Sequence, residues 1–229
     1  MCLFCEKDTF VIRINLREIL SKWGGWFFYQ RGLIPVPFFI VLFFLNFGTY
    51  ENDLVIWITG PLFLILGEVL RCWGIKHIGK HSRTRKRQCK SVVMSGPYAL
   101  TRNPLYLGNL CIMVGFTVMS ELLWFLAVAL PLFLFYYTCI VIWEEGILKE
   151  TYPEEAKRYF EKVPRWCLIR GMRERFRNAF LAKGDTLLTE VIYREYRTLQ
   201  FLAVMTILLL LKELFNYHHY PIWIPFIFN

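Results

Sequence analysis

Acidic residues are missing where basic ones are densest. Lys76 to Arg102 carries eight Lys and Arg and not one Asp or Glu. Cysteine gives no framework: the seven are odd in number, and Cys2-x-x-Cys5 is the only close pair, with no second pair to complete a zinc site. Gly-x-Gly-x-x-Gly is absent, which leaves no signature for a Rossmann dinucleotide fold. Gly74-x-x-x-x-Gly79-Lys80 has phosphate-loop spacing, but it follows an apolar helical stretch and His81 stands where Ser or Thr is required. A cleavable leader is not expected, because residues 1–31 lack a pure apolar run and carry five Lys and Arg. Charge is also scarce in long blocks of the chain, and those blocks decide its class.

Of the 229 residues 56% are hydrophobic, against about 45–50% in soluble domains. The surplus is concentrated. Leu33–Tyr50 is 18 residues without a charge, Leu54–Ile75 follows, and Asn103–Ser120 and Leu122–Trp143 are uncharged over 18 and 22 residues. About 17–25 apolar residues span a bilayer, so these read as four spans, and 199–217 as a fifth. Residues 1–31, with Arg13, Arg17 and Lys22 beside Trp23, Trp26 and Phe27, read as an interfacial helix, and 172–198 as an amphipathic surface helix. The expected organisation is therefore 1–31 as the N-terminal interfacial helix, 32–170 as the transmembrane core, and 171–229 as an amphipathic helix, a last span and an aromatic tail.

The net charge of +9 follows the membrane pattern instead of a nucleic-acid patch, since the basic residues lie between or beside apolar blocks. Lys and Arg number five in 1–31, eight in 76–102 and twelve in 144–198, whereas the short turns at 51–53 and 121 are acidic. Basic segments stay cytoplasmic, which places the N-terminus, the 76–102 loop and the 144–198 section on one side. Whether the membrane is a prokaryotic inner membrane or the endoplasmic reticulum is open.

That topology puts Ser95–Gly108 beside Glu144–Glu145. Gly96-Pro97 is a turn signal, and Pro104 suits the first turn of the helix that follows. Arg102 can hold a carboxylate by two parallel hydrogen bonds, Glu144 or Glu145 an ammonium or a diol, and Tyr98 or Tyr106 a flat ring. Glu68 and Arg71, at i,i+3 on one helical face, read as an ion pair near the membrane boundary. Gly108 and Gly115, seven residues apart, allow either close helix contact or room for a ligand. From the residues alone, a cytoplasmic ligand site at a helix pair and a structural ion-pair network stay equally open.

Gly96-Pro97-Tyr98, Arg102-Asn103-Pro104-Leu105-Tyr106-Leu107-Gly108, Glu144-Glu145 and Tyr152…Tyr159…Val163-Pro164-Arg165 together resemble the isoprenylcysteine carboxyl methyltransferase and phospholipid methyltransferase superfamily. The resemblance covers about residues 60–168. It implies an all-α integral membrane enzyme of about five transmembrane helices, with cytoplasmic amphipathic helices enclosing an S-adenosyl-L-methionine pocket, and S-adenosyl-L-homocysteine as product. It further implies a lipid or other lipophilic acceptor entering from the bilayer. On this resemblance, Arg102, Asn103 and Glu145 are the expected catalytic residues. Tyr98, Arg102, Asn103, Pro104, Tyr106, Gly108, Glu144, Glu145, Tyr159 and Arg165 are the expected cofactor contacts, with no metal. Asn103 stands where prenylcysteine enzymes carry His, so the phospholipid branch is favoured. The alternatives are an NADPH-dependent sterol-type reductase, or a non-enzymatic membrane scaffold.

Overall fold

A computed structural model describes residues 4–45, 52–79, 92–166 and 172–217. Among them the chain is helical throughout: α1 Phe4–Tyr29, α2 Val36–Phe44, α3 Asp53–Ile78, α4 Pro104–Met119, α5 Leu126–Thr151, α6 Pro153–Lys162, α7 Met172–Leu181 and α8 Leu188–Tyr217. Short 3₁₀ turns at Gly96–Ala99 and Leu123–Phe125 lead into α4 and α5. Cys2, most of the basic loop (including Arg83, Arg85 and Arg87) and the tail with His218 and His219 lie outside the described residues.

Local chemistry sets the helix ends. The Asn52 side chain accepts from Val55 N–H to cap α3, while prolines 104 and 153 open α4 and α6, where a missing N–H costs nothing. The Gly96-Pro97 turn forms with Gly96 at φ +59°, its Cα face against the His77 ring, where an added Cβ would fall 2.3 Å from ring atoms.

Two helices, Asp53–Ile78 and Leu123–Thr151, are long and apolar enough to cross a membrane; α4 is apolar but shorter. Leu54, Ile58, Leu62, Ile65 and Val69 of α3 are 59–72% exposed. They recur at helical spacing on one face, an apolar stripe suited to lipid and costly in water. The first expected span is shorter in the structure. Within Leu33–Tyr50 only the nine residues of α2 are helical among those described, and nine residues rise about 14 Å against a hydrocarbon core of about 30 Å. At the other end no break separates a surface helix from a span near residue 198, because α8 runs unbroken from Leu188 to Tyr217. Nothing in 188–217 breaks a helix, so the change from mixed to apolar composition alters what the helix faces without ending it.

α3 and α4 pack antiparallel through two glycine crossings. An added Cβ on Gly67 would lie 2.6 Å from the Gly108 carbonyl oxygen, and one on Gly115 would lie 2.8 Å from that of Gly60. Small residues thus let the backbones touch. Around this pair, Leu42 of α2, Leu64 of α3, Phe116 of α4 and Met205 and Leu209 of α8 form one apolar core. Phe28 of α1 with Tyr136, Tyr137 and Ile140 of α5 form a second. α1 approaches α5 through Gly24, where a Cβ would fall 2.0 Å from the Cys139 carbonyl oxygen. At the acidic turns, carboxylate oxygens of Asp53, Glu121 and Glu213 lie within 4.8 Å of one another. The buried Lys212 beside Glu213 donates to the Leu42 and Leu45 carbonyls, which ties α8 to the end of α2.

Candidate active site

A cavity of about 970 Å³ lies beside the second core, with Phe28, Tyr137 and Ile140 in its wall. Its floor is built where the Thr101-Arg102-Asn103 segment docks against Val163-Pro164-Arg165. Arg102 N–H donates to the Pro164 carbonyl (3.0 Å), and Thr101 Oγ1 and Asn103 Nδ2 both donate to the Arg165 carbonyl (3.1 and 2.9 Å). Tyr159 Oη donates to the Tyr98 carbonyl at 3.0 Å, and its burial raises the phenol above its ordinary value. These bonds satisfy irregular backbone that would otherwise be buried unpaired. They also bring Arg102 and Arg165 onto one carboxylate.

That carboxylate is Glu145, 5% exposed. Arg102 Nη1 is 2.9 Å from Oε1; Arg165 donates through Nε to Oε1 (3.0 Å) and through Nη2 to Oε2 (2.6 Å). Two guanidiniums against one carboxylate leave one positive charge. The two cations are not equally well served. The hydrogen bonds to Glu145 raise Arg165 above its ordinary value, whereas burial, only partly offset by Glu145, lowers Arg102. Arg102 Nε is moreover buried without a hydrogen-bond partner. The guanidinium also lies 4.7 Å over the Phe160 ring, so its plane is held. The cluster therefore presents a net positive charge at the cavity wall.

Glu144 points differently from its neighbour. Its Oε1 accepts from Tyr106 Oη at 2.9 Å, and the Tyr106 ring stacks on Tyr137 at 4.6 Å. The Tyr137 hydroxyl accepts from Asn109 Nδ2 (2.8 Å), and Asn109 Oδ1 in turn accepts from Arg71. Arg71 completes the wall: its Nη2 is 2.8 Å from both oxygens of Glu195, which is wholly buried, and its Nε is 3.5 Å from Glu68. Tyr106→Phe keeps the stack and removes the donor to Glu144. Leaving that carboxylate short of a partner is expected to cost about 1–3 kcal/mol, read as a lower melting temperature of the detergent-solubilised protein. Tyr106→Leu is expected to melt lower still, because the ring contact goes too.

The structure gathers most of the residues predicted from the motifs. Tyr98, Arg102, Asn103, Pro104 and Tyr106 line the cavity from one side, and Glu144, Glu145 and Tyr159 from the other. Arg165 stands behind Glu145 as its clamp. Asn103 has its amide N–H committed to Arg165, so it positions the floor. Gly108 is in the α3–α4 crossing, where its Cβ position meets Arg71 and the Gly67 carbonyl, and it is not among the residues on the cavity wall. Neither oxygen of Glu145 is left to a ligand diol or ammonium by its two arginines. Tyr137, Asn109 and Glu195 were not expected. Asn109 was legible as the amide inside an apolar span that Asn103 opens, but Glu195 meets Arg71 across 124 residues and left no local signal.

Among the described residues the chain is helical, has two helices long and apolar enough to cross a membrane, and holds a cavity lined by charged side chains at a helix junction. Residues 55–155 match the model of the phospholipid methyltransferase family, the stretch that holds most of the motifs that resemble it. Among curated proteins, the chain is 33% identical over 127 residues to the cobalt-zinc-cadmium resistance protein CzcN of Cupriavidus metallidurans, covering 54% of this chain and 56% of that protein. It is 29% identical over 115 residues to the nickel-cobalt-cadmium resistance protein NccN of Alcaligenes xylosoxydans xylosoxydans, covering 49% and 51%. The chain thus spans about half the length of the curated relatives it matches. No solved structure matches.

Proposed function

We propose that this protein is an S-adenosylmethionine-dependent methyltransferase that acts within the membrane on a lipid or other lipophilic acceptor, at nitrogen or oxygen. The observation that carries this reading is the surplus cation at Arg102, with its buried and unpartnered Nε, in the wall of a cavity that also presents Tyr98, Tyr106 and Glu144. Those groups fit the cofactor: Arg102 would hold its carboxylate, Glu144 its ammonium or ribose diol, and the tyrosines its flat base. When bound, it supplies an electrophilic methyl on a sulfonium centre.

The chain's contribution is then alignment and exclusion of water. Holding two reactants in near-attack geometry is worth up to about 7–11 kcal/mol. The sulfonium charge disperses during transfer, so a carboxylate pressed against sulfur would favour the ground state and slow the step. Glu145, neutralised by Arg102 and Arg165, avoids that penalty. No obligate base is assigned, because an amine or carboxylate acceptor needs only the right protonation state. The arrangement we infer has about five spans, with the N-terminus and the cavity on the cytoplasmic side, and the acceptor arriving laterally from the bilayer.

Membranes containing the protein, supplied with methyl-labelled S-adenosylmethionine, are expected to transfer label into the lipid extract. Label in no extract would count against methyl transfer, and thermal stabilisation by reduced dinucleotide phosphate with none by S-adenosylhomocysteine would favour a reductase instead.

A further inference from the structure

Within the methyltransferase reading, we propose that Arg194 is a specificity-determining residue that binds an anionic group, phosphate or carboxylate, on the methyl acceptor. α8 supplies six consecutive residues, Tyr193 to Thr198, to the cavity wall. This helix lies beyond the 55–155 family match. Its rotation is fixed by its neighbours: Arg71 holds Glu195 through two 2.8 Å contacts and reaches Thr198 Oγ1 at 3.3 Å. Arg194 is the residue beside that anchor, and it lines the cavity.

The other arginines at this cavity have visible occupations. Arg71 is on Glu195, Arg102 on Glu145, Arg197 donates to Tyr196 Oη at 2.9 Å, and Arg31 lies 4.5 Å over the Phe28 ring. Arg194 Nε is buried and has no hydrogen-bond partner. A buried donor left unmade is costly, and a guanidinium is best satisfied by a planar or tetrahedral oxyanion. Arg31 and Arg197 line the same cavity and add to a positive field that draws an anion to it. The cofactor's single carboxylate cannot fill this role as well, because Arg102 takes it against α5 and the segment after α6. The cavity is near the top of the range of about 300–1,000 Å³ for small-ligand sites, which leaves room for a second molecule.

The test is native mass spectrometry of the full chain in detergent, with dihexanoyl phosphatidylethanolamine, decanoate and neutral dihexanoylglycerol as probes, and S-adenosylhomocysteine titrated separately. Wild type is expected to bind a probe that carries a phosphate or carboxylate about tenfold or more tightly than dihexanoylglycerol. Arg194→Gln should erase that preference and Arg194→Lys retain part of it, with the melting temperature held and S-adenosylhomocysteine affinity moved less than about twofold. Inorganic phosphate displacing the lipid at comparable concentration assigns the site to a soluble anion; failure to displace assigns it to a lipid headgroup. If both Arg194 variants keep the wild-type preference, the proposal is overturned. Loss of S-adenosylhomocysteine binding in wild type with the Arg194 effect intact would instead overturn the cofactor reading alone.

Discussion

Arg102→Ala is expected to lower S-adenosylhomocysteine affinity at least about tenfold while leaving the melting temperature within a few degrees of wild type, and Glu145→Ala to lose both affinity and fold. The difference follows from the charge count at the floor of the cavity. Arg165 alone is enough to balance Glu145, through two hydrogen bonds of 2.6 and 3.0 Å. Removing Arg102 therefore leaves a satisfied pair behind and takes away the surplus cation that a ligand carboxylate needs. Removing Glu145 does the reverse. It strands two guanidiniums, with side chains 15% and 33% exposed, beside each other in the wall. Breaking a buried pair from one side costs about 3–5 kcal/mol, a large part of the stability of most domains. Glu145→Gln keeps shape and loses charge, and is expected to fall between. Titration calorimetry and thermal unfolding of the three variants separate ligand recognition from structural pairing. Undiminished binding by Arg102→Ala would sink the assignment of the cofactor carboxylate to this residue.

The same floor shows how far residue order carries and where it stops. Arg102, Tyr106, Glu144 and Glu145 were legible because they sit at the ends of apolar blocks whose boundaries are themselves legible, and topology made those ends neighbours. Their pairing was not. Which glutamate meets the arginines depends on the rotation of α5: Glu145 turns onto Arg102 and Arg165, and Glu144 toward Tyr106, one residue apart and about 100° around the helix. Composition gives no register for that. Gly108 was ambiguous for a related reason, since a glycine on a helix face marks close approach without naming what approaches. The partner proved to be another glycine, Gly67 on α3. The Leu33–Tyr50 block shows the opposite limit. Its hydropathy satisfies a span, yet α2 covers only Val36–Phe44 among the described residues, with Pro35 and Pro37 at its start. α8 could not be divided correctly from hydropathy either, because a helix continues wherever its backbone is free to, whatever its side chains face.

Gly67→Val is expected to abolish the folded protein, and Gly108→Val nearly so, whereas Gly60→Ala is tolerated far better. At Gly67 an added Cβ would meet the Gly108 carbonyl oxygen at 2.6 Å and the Gly108 site would meet that of Gly67 at 2.7 Å. These are backbone atoms of two packed helices, so relief requires the helices to separate. Separation propagates to the site: Arg71 lies one turn along α3 from Gly67, and Asn109 follows Gly108. Their contact, which carries the link from Glu195 to Tyr137, would part with the crossing. At Gly60 the closest obstacle is the flexible Met119 side chain at 2.3 Å, with the Gly115 carbonyl farther off at 3.1 Å. Methionine can rotate away at small cost. Overpacking costs about 1–3 kcal/mol for a few added methylenes, so a β-branched side chain at both-sided backbone contact belongs beyond that range. Gly146 on α5 is the internal control. Nothing lies within 4 Å of its Cβ position, and Gly146→Ala is expected to raise stability by up to about 1 kcal/mol through helix propensity alone. Expression with size-exclusion profile and melting temperature ranks the four variants. A Gly67→Val protein that melts with wild type would mean the α3–α4 crossing is looser than its backbone contacts require, and Arg71 would then need another reason to reach Asn109.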